Sequence, residues 1–390
     1  MSVATALVPT ELKYGCNPHQ GRAAFESGAV RIRSGTPSMI NMLDALNGWQ
    51  LVSELAGALG MPAAASFKHV SPAGAAVGTP LPEDLIGVYE VAGRELTPLA
   101  TAYVRARGAD PKSSFGDFAA LSHPVDAATA DYLKSVVSDG VVAPGFEEGT
   151  LATLAAKKGG SFVVVETDPD FRPPELESRE VYGVKLVQER NNRQVHEADL
   201  DSVVCGELTA DARRDLLLGL VTLKYTQSNS VGFALDGQMI GIGAGQQSRV
   251  DCTKLAGAKA DVWHLGRHPQ VLGLDFAGGV RRQERINWRV RYIEGDLTAG
   301  EQEAFAEAID RQAPAALTVD ERDAWMDRLR DVALVSDGFI PFRDNVDHAS
   351  RHGVAFIAQP GGSTRDDEVI AACREHGIAM AHTDLRLFHH

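Results

Sequence analysis

Two titratable side chains, Lys68 and His69, stand side by side where an apolar segment of the sequence ends. The segment PAAASFKHV (62–70) has the composition of a buried strand, and SPAG (71–74) directly after it predicts a turn. Neighbouring side chains of a strand point to opposite faces, so both meet one substrate only where the backbone turns. Histidine accepts a proton near neutral pH, and lysine stabilises negative charge. The pair predicts acid–base chemistry, with a structural lysine and a capping histidine as the alternative.

Two further stretches place polar side chains at the end of an apolar segment. LKYTQSNSV (223–231) passes from a helical pattern into side chains that can only hydrogen-bond. SDGFIPFRDNVDHA (336–349) sets Phe339 and Phe342 among charged residues. Aromatic rings beside ionic groups suit a flat heterocycle with polar edges, so these stretches predict a binding site for a small molecule.

Three other motifs carry weaker signals. GIGAG (241–245) lacks the last glycine of a dinucleotide-binding loop and lies in a hairpin pattern, so it indicates close approach of backbone instead. His264 and His268 have helical spacing without an HExxH motif, which favours a helix end over a metal site. The basic cluster at 281–291 is typical of a solvated, salt-bridged face. The zinc-deaminase signature is absent, so we expect no zinc.

The composition is that of an ordinary globular protein. The chain has 390 residues, 44% of them hydrophobic and 23% charged, which predicts roughly two or three domains. A net charge of −14 disfavours nucleic-acid binding. No stretch approaches the ~20 apolar residues of a membrane span, and the N-terminus lacks a signal-peptide pattern. Four scattered cysteines indicate a reducing compartment. We therefore expect a cytoplasmic protein with neither a nucleic-acid nor a membrane partner.

Helical patterns alternate with short apolar strands, which predicts an α/β fold. No repeat of fixed period is visible. We divide the chain into two α/β halves and a small helical insert. The first half is residues 1–170. The second half is residues 171–270 together with 333–390, and the insert is residues 271–332.

Turn and cap signals fix some element boundaries in the second half and the insert. Asp236-Gly237 between apolar arms predicts a β-hairpin. Thr298 and Thr318 each begin a capping box, so each predicts the start of a helix. The polar stretch DPDFRPPELESREVYG (168–183) is interpreted as the connection between the halves.

Eight blocks of sequence together resemble AICAR transformylase, the formyl-transferring part of the bifunctional purine-synthesis enzyme that also carries IMP cyclohydrolase. The resemblance runs from about Lys13 to His390. In chain order the blocks are KYGCNPHQ (13–20), SFKHVSPAGAAVG (66–78), ARGADPKSSFGDF (106–118), SDGVVAPG (138–145), KYTQSNSV (224–231), IGAGQQSR (242–249), PFRDNVD (341–347) and LRLFHH (385–390).

The resemblance implies transfer of a formyl group from 10-formyltetrahydrofolate to the 5-amino group of AICAR, in IMP biosynthesis. It also implies two cytidine-deaminase-like halves without zinc, a small helical insert, and a homodimer with active sites at the subunit interface. Bifunctional members carry the cyclohydrolase before this region. Only twelve residues precede Lys13 here, so we expect no IMP cyclohydrolase activity in this chain, and a separate cyclohydrolase as a partner.

Site residues follow from the resemblance by position. The catalytic residues are His69, Lys68 and Asn229. His69 would accept the proton of the amine, Lys68 would stabilise the oxyanion or assist the leaving folate nitrogen, and Asn229 would bind the substrate amide or orient His69. The residues implied for AICAR are Lys13, Tyr14, His69, Gly116, Asp139, Asn229, Arg249, Phe339 and Arg386. The residues implied for the folate are Val250, Asp344, Ser363 and Thr364.

Within the AICAR set, Lys13 and Arg386 are expected to bind the phosphate, Asp139 a ribose hydroxyl, and Phe339 the base. The family usually has arginine where this chain has Lys13, and lysine lacks the two-pronged geometry that suits a phosphate. Ser363 and Thr364 precede a helix, so they could equally serve as its N-cap.

The family also implies a buried potassium site. Its oxygen ligands would come from Leu223, Thr226, Ser228, Ser230, Asp337, Leu387 and His389. In that case the final segment LRLFHH (385–390) is docked structure; taken alone, its two terminal histidines would look like a frayed tail or the remnant of a tag.

Two other functions stay open at this point. One is a different one-carbon or nucleotide enzyme on the same scaffold that uses formate and ATP, although no P-loop motif is present. The other is an inactive homologue that serves as a partner of a separate cyclohydrolase; intact Lys68, His69 and Asn229 argue against it.

Overall fold

The computed structural model describes residues 9–26 and 28–390. Helices and strands alternate along most of this range, as the sequence pattern predicts. The strands are β1 (Thr10–Glu11), β2 (Ala24–Phe25), β3 (Val30–Ser34), β4 (Ala63–Lys68), β5 (Ser71–Val77), β6 (Asp117–Leu121), β7 (Ser138–Ala143), β8 (Val163–Thr167), β9 (Leu176–Val181), β10 (Val184–Glu189), β11 (Val203–Cys205), β12 (Val231–Leu235), β13 (Gln238–Gly243), β14 (Val332–Ser336), β15 (Val354–Gln359) and β16 (Ala379–His382).

The helices fill the connections between these strands. They are α1 (Met39–Leu59), α2 (Glu83–Val88), α3 (Pro98–Ala109), α4 (Ala127–Ser135), α5 (Thr150–Ala155), α6 (Ala210–Lys224), α7 (Arg249–Leu265), α8 (Pro269–Leu272), α9 (Arg282–Glu294), α10 (Ala299–Ala308), α11 (Val319–Met326), α12 (Asp344–Ala349) and α13 (Asp366–His376). None of the helices in the described ranges is long and apolar enough to cross a membrane.

One mixed sheet of twelve strands runs through the described part of the chain, in the order β11-β16-β15-β14-β12-β13-β5-β4-β6-β7-β8-β3. The α/β class is therefore confirmed. β5 and β13 pair antiparallel at the centre, with Ala76 opposite Gln238, so the sheet continues from one half of the chain into the other. The division into residues 1–170, 171–270 with 333–390, and 271–332 stays a prediction.

The two halves of the sheet repeat the same arrangement. In the first half of the sheet, the hairpin β4–β5 lies next to β6, β7 and β8, which are parallel to one another. The edge strand β3 pairs antiparallel with β8. In the second half the hairpin β12–β13, parallel β14, β15 and β16, and antiparallel β11 follow the same plan. The sequence shows no repeat, because a shared backbone plan does not require shared side chains.

Helices cover both faces of the sheet. α1 and α6, which lead into the two hairpins, pack against each other and against one apolar face. α3 and α7, which follow the hairpins, pack on the opposite face. Alternation along the strands supplies both layers; for example, Ala64 belongs to one core and Ala65 to the other.

The insert has its own small core, formed around Tyr292, Ile293 and Phe305. The capping boxes at Thr298 and Thr318 are confirmed, since each threonine is paired with the glutamate three residues later at the start of α10 and α11. Ion pairs of the basic cluster join Arg282, Arg285 and Arg289 to Glu90, which confirms its interpretation as a salt-bridged face.

The connection between the halves is more structured than the polar stretch at 168–183 indicates. β9 and β10 form a separate two-stranded hairpin within it. Its apolar side chains are exposed, among them Leu176 at 59%, Leu186 at 55% and Tyr182 at the tip. The predicted hairpin at Asp236-Gly237 is confirmed as the turn between β12 and β13.

Candidate functional site

His69 and Val70 form the two-residue turn between β4 and β5. Their φ angles are 54° and 63°, and Lys68 pairs with Ser71 across the turn. The prediction that 71–74 supplies the turn is wrong, because these residues are the first part of β5. Pro72 is tolerated there because β5 pairs with β13 only farther along, at Ala76, so the amide that proline lacks has no ladder partner to lose.

Lys68 and His69 leave this turn in different environments. The ammonium of Lys68 is half-buried and donates to the carbonyl of Phe115 and, at 3.4 Å, to that of Gly116. The imidazole of His69 is exposed. Gly116 has φ of 72°, and a β-carbon there would lie 3.2 Å from Nζ of Lys68. Glycine at this position therefore leaves space beside the lysine.

A buried network beneath Lys68 fixes the loop that receives it. Asp117 is fully buried and accepts hydrogen bonds from Ser66 at 2.7 Å, from Tyr103 at 2.9 Å and from Arg107 at 2.5 Å. Because Asp117 directly follows Gly116, this network sets the position of the two carbonyls that bind the lysine.

Asp139 lies beside the same loop, at the start of β7. Its carboxylate is 3.8 Å from a β-carbon built on Gly116 and forms an ion pair with Lys158 at 2.7 Å. Both side chains of the pair are partly exposed, at 51% and 35%. The carboxylate therefore remains accessible from solvent.

Asn229 and Arg249 are bound to each other in the second half. The guanidinium of Arg249 donates to Oδ1 of Asn229 at 2.9 Å and forms a buried ion pair with Asp337. Nδ2 of Asn229 donates to the carbonyls of Gln246 and Gln247 at 3.1 and 3.2 Å. The carboxamide of Asn229 thus organises the loop after β13, and it forms no hydrogen bond with His69 in the described part of the chain.

The two halves of the site meet at one edge of the sheet. The backbone N–H of Gln227 donates to Oγ of Ser71 at 3.4 Å, which places the 227–229 segment beside the His69 turn. The register explains this, because β12 begins opposite the ends of β13 and β14, with Val231 facing both Gly243 and Ser336. Segments more than a hundred residues apart therefore line the same edge.

Hydrogen bonds also join the residues implied for potassium. Asp337 accepts from Oγ of Ser228 at 2.6 Å and from the N–H of Ser230 at 2.9 Å, while its carbonyl accepts from Leu387 at 2.8 Å. Oγ of Ser228 accepts from the N–H of His389 at 3.0 Å. The C-terminal segment is therefore docked against the second half.

A test of the potassium set comes from an orphaned atom. Oγ of Ser230 is buried and has no hydrogen-bond partner among the described residues. It lies next to the buried carboxylate of Asp337, and Thr226 donates its backbone N–H to the carbonyl of Leu223 at 3.0 Å nearby in the chain. An unused hydroxyl among carboxylate and carbonyl oxygens fits a hard monovalent cation.

Phe339 and Arg386 line a shallow cavity at the same edge, together with Gly361. Phe339 is 49% exposed, and the guanidinium of Arg386 lies 5.0 Å from the ring of Phe388. A half-exposed aromatic ring beside an exposed guanidinium is suited to a flat anionic ligand.

Lys13 and Tyr14 lie beside the start of α1, the helix that carries Asp44. Backbone bonds tie Lys13 to Pro37 and Tyr14 to Met39, so both residues are held at the start of α1. The side chain of Lys13 is exposed there.

Two of the folate-implied residues lie on adjacent helices. Val250 is in the first turn of α7 and Asp344 begins α12; the hydroxyl of Thr253 donates to Asn345 at 3.1 Å and joins these helices. Oδ1 of Asp344 accepts from Nδ2 of Asn345 at 2.8 Å.

Ser363 and Thr364 lie in the loop before α13. The backbone N–H groups of Gly362 and Ser363 donate to the carboxylate of Asp366, at 2.8 and 3.1 Å. The hydroxyl of Ser363 accepts from the N–H of Arg365. Part of this helix start is therefore already satisfied inside the protein, which leaves Thr364 as the exposed member of the pair.

Asp44 is a buried titratable residue next to the His69–Val70 turn that sequence analysis does not reveal. It is 6% exposed in α1, and burial raises the pKa of its carboxyl to about 7, against the opposing effects of its hydrogen bond from Val70 and of the Lys68 ammonium. An isolated aspartate within a helix gives no local signal. Phe115, Asp117 and Arg107 lie in the block ARGADPKSSFGDF (106–118), in which the resemblance implies a role only for Gly116.

Comparison with known proteins identifies one family. The family described as AICARFT/IMPCHase bienzyme matches residues 3–259. Three curated relatives, each called bifunctional purine biosynthesis protein PurH, align over nearly the whole chain. The protein of Cereibacter sphaeroides is 33% identical, covering 100% of this chain and 61% of its own. Those of Dinoroseobacter shibae and Ruegeria sp. are 32% and 31% identical, covering 100% and 97% of this chain, and 61% and 59% of their own. The chain thus spans about three fifths of the length of these relatives.

Proposed function

The chain belongs to the AICARFT/IMPCHase bienzyme family, and from this we propose that it transfers the formyl group of 10-formyltetrahydrofolate to the 5-amino group of AICAR in purine biosynthesis. One observation carries the proposal. The Lys68–His69 turn lies beside the Asn229 segment, at the edge where Phe339 and Arg386 also stand. Predicted residues from both halves therefore lie at one edge of the sheet, which supports the proposal.

The chemistry needs a base and a stabiliser of negative charge. The amine of AICAR is attached to an electron-poor ring, so it must lose a proton as its nitrogen attacks the formyl carbon. The exposed imidazole of His69 is suited to accept that proton. As the new C–N bond forms, negative charge grows on the formyl oxygen; it collapses when the bond to the folate nitrogen breaks, and the proton passes to that nitrogen.

Lys68 supplies the positive charge for this step. Its ammonium is held by the carbonyls of Phe115 and Gly116, so it is oriented before substrate binds. A preoriented cation needs no reorganisation at the moment of reaction, and it lowers the barrier for that reason. Asn229 acts indirectly in this proposal, by holding Arg249 and the loop after β13.

Binding of the two substrates uses the remaining residues. For AICAR, Asp139 is accessible for a ribose hydroxyl, Phe339 offers an open ring face, and Lys13 and Arg386 are exposed cations for the phosphate. For the folate, Val250 and Asp344 lie on joined helices, and Ser363 and Thr364 on the loop before α13.

We also propose a homodimer of cytidine-deaminase-like halves. The repeated strand order of the two halves supports the topology. The exposed apolar side chains of the β9–β10 hairpin support a second subunit, because an isolated two-stranded hairpin is marginally stable in water. Light scattering during size exclusion should give twice the mass of one chain; a monomer at assay concentration would contradict the dimer.

Potassium is proposed to be held by oxygens of Leu223, Thr226, Ser228, Ser230, Asp337, Leu387 and His389. The ion would supply positive charge next to the Asp337 carboxylate and order the segment before Asn229. Melting should be higher in potassium chloride than in tetramethylammonium chloride of equal ionic strength. Ser230→Ala should shrink that difference, and a wild-type melting point that ignores the cation would rule the site out.

The decisive experiment is a folate assay. AICAR and 10-formyltetrahydrofolate are mixed with the protein, and tetrahydrofolate release is followed by absorbance, with formyl-AICAR identified by mass. Formate with ATP in place of the folate tests the other donor. No turnover of either donor at any potassium concentration would sink the proposal and favour an inactive homologue. IMP is measured in the same samples, because the expectation that this chain forms none stays a prediction.

A further inference from the structure

We propose that Asp44 is a positioning residue for this reaction: its carboxylate holds the His69–Val70 turn in the backbone conformation that presents Lys68 and His69 to the substrate. The inference rests on the proposed function for its catalytic meaning. Its structural content, that one helix carboxylate maintains one left-handed turn, stands separately and is tested separately.

A single short contact carries the argument. Oδ1 of Asp44 accepts the backbone N–H of Val70 at 2.7 Å, and the carboxylate is buried. Val70 has φ of 63°, a conformation that costs free energy for any residue with a β-carbon, and most for a β-branched one. Valine adopts it here because its N–H gains a short hydrogen bond to a buried acceptor there.

The second half contains the same device. Oδ2 and Oδ1 of Asp215 accept the backbone N–H groups of Asp236 and Gly237, both at 2.7 Å, in the turn between β12 and β13. Asp44 and Asp215 occupy the same place, the sixth residue of the helix that leads into the hairpin. The repeated arrangement shows that a buried helix carboxylate beneath this turn belongs to the architecture.

The two turns differ in how much they need that carboxylate. Asp236-Gly237 is a favoured pair for a turn with two positive φ angles, whereas His69-Val70 is not. The first turn therefore depends more on its acceptor. The charged groups that face Asp44 are Lys68 from β4, Asp117 from β6 and Asp139 from β7. Among these only Lys68 is positive, so the same carboxylate also faces the catalytic ammonium.

The test uses variants that separate the hydrogen bond from the charge. Asp44→Leu removes the acceptor, and Asp44→Asn keeps an acceptor oxygen without the charge. We expect kcat to fall about 10- to 100-fold in D44L, the range for leaving a buried N–H without its acceptor, and by less than about 10-fold in D44N. KM for the folate should change less than kcat, because Asp44 does not touch that substrate.

A rescue variant checks that the turn is the cause. Val70→Gly removes the β-carbon that makes a positive φ costly. In the D44L background it should restore kcat by about 10-fold, because glycine keeps the turn without an acceptor. No rescue, or a D44L enzyme with wild-type kcat, would overturn the proposal.

Asp215→Leu is the matched control, because it removes the same acceptor from the equivalent turn at the opposite edge of the sheet. It should lower the melting temperature while kcat stays within about 2-fold of the wild type. An equal loss of kcat in D215L and D44L would show that the effect is general loss of folding. Asp215→Asn serves if D215L does not fold.

A readout independent of catalysis keeps the two proposals apart. Hydrogen exchange at the Val70 amide should be at least about 10-fold faster in D44L than in the wild type and unchanged in D215L or D215N. Unchanged exchange in D44L would overturn the positioning claim even if the enzyme is active. Faster exchange in a protein without formyl transfer would retain the contact and reject the function.

Discussion

The two β-hairpin turns of the large sheet have the same backbone conformation, with two positive φ angles, but they differ in how many partners surround them. Asp236-Gly237 in the second half is enclosed by permanent partners: Asp215 accepts both N–H groups, and the fully buried Arg105 binds Oδ2 of Asp236 at 3.1 Å. His69-Val70 in the first half keeps its imidazole exposed and has one carboxylate acceptor, Asp44. The second turn is built for stability, and the first gives up local preference to present two reactive side chains.

The polar groups around the two halves of the site differ in a similar way. In the second half Asp337 is fully buried and paired with the nearly buried Arg249. In the first half Asp139 and Lys158 form a partly exposed pair. The second half thus holds a buried ion pair at this edge of the sheet, and the first half holds one that solvent can reach.

Replacing the central residue of each turn should give the largest difference. His69→Ala should lower kcat by roughly 10²–10⁴, because it removes the general base. Asp236→Ala, at the equivalent position of the second turn, should leave kcat near the wild-type value. Steady-state folate kinetics measure both. Near-wild-type turnover in H69A would remove the functional side of the comparison and reassign the base.

Breaking the buried ion pair should cost more stability than breaking the exposed one. Arg249→Met leaves the carboxylate of Asp337 buried without its cation, so unfolding free energy should fall by about 3–5 kcal/mol. Lys158→Met removes an exposed partner and should cost at most about 1 kcal/mol. Chemical denaturation measures the unfolding free energy of both variants. Equal losses would contradict the difference between the buried and the exposed ion pair.

Exchanging the turn chemistry should shift stability in opposite directions. Gly237→Ala should destabilise by about 1–2 kcal/mol, since φ is 76° there and the new β-carbon would lie 2.9 Å from Cγ2 of Thr79. Val70→Gly should stabilise by up to about 1 kcal/mol, because the same φ no longer costs anything. Thermal melts of the two variants measure the shifts, and a loss of stability in V70G would contradict the view that this turn is strained.

The two helix carboxylates should differ in their response to pH. Burial raises the pKa of Asp44 to about 7 from the model-compound value of 3.8, so between these values the folded protein retains a proton that the unfolded chain has lost. Stability from this group therefore falls as pH rises, by up to about 1.4 kcal/mol per pH unit. Asp44→Asn removes this dependence. The stability of the variant relative to the wild type should therefore increase from pH 4 to pH 7.

Asp215 provides the comparison for that titration. Burial also raises its pKa, but Arg214 lies 2.9 Å away and opposes the shift. Asp215→Asn should therefore flatten the pH dependence of stability less than Asp44→Asn does. Urea unfolding at several pH values gives the slope of stability against pH for each variant. If D44N keeps the slope of the wild type, the titration belongs to another group.

Local sequence patterns predicted the elements whose signals are local. The Asp236-Gly237 hairpin and the capping boxes at Thr298 and Thr318 formed as expected, because each is decided by residues within four positions of one another. The prediction of a turn at 71–74 was wrong because contacts with distant segments override the local signal there. Its Ser-Pro-Ala-Gly composition favours a turn, but pairing with β4 and packing of Gly74 against α3 hold it extended.

The site itself could be predicted only in part. Blocks of sequence identified the family and predicted Lys68, His69 and Asn229 as site residues. They could not show that the carboxamide of Asn229 is hydrogen-bonded to Arg249 and to the loop after β13. Nor could they find Asp44, whose importance lies in one contact with a residue twenty-six positions away.

By itself, the sequence determined the α/β class, the family and the residue types available for acid–base chemistry, because periodicity, turn residues and matched blocks are properties of short segments. Only the tertiary structure decided that the hairpin turns of two unlike halves share one backbone, and that each rests on a buried helix carboxylate. The physical reason is that strand register and burial depend on contacts between distant segments. Those contacts determine which φ angles a valine must accept and which carboxylates lose their water.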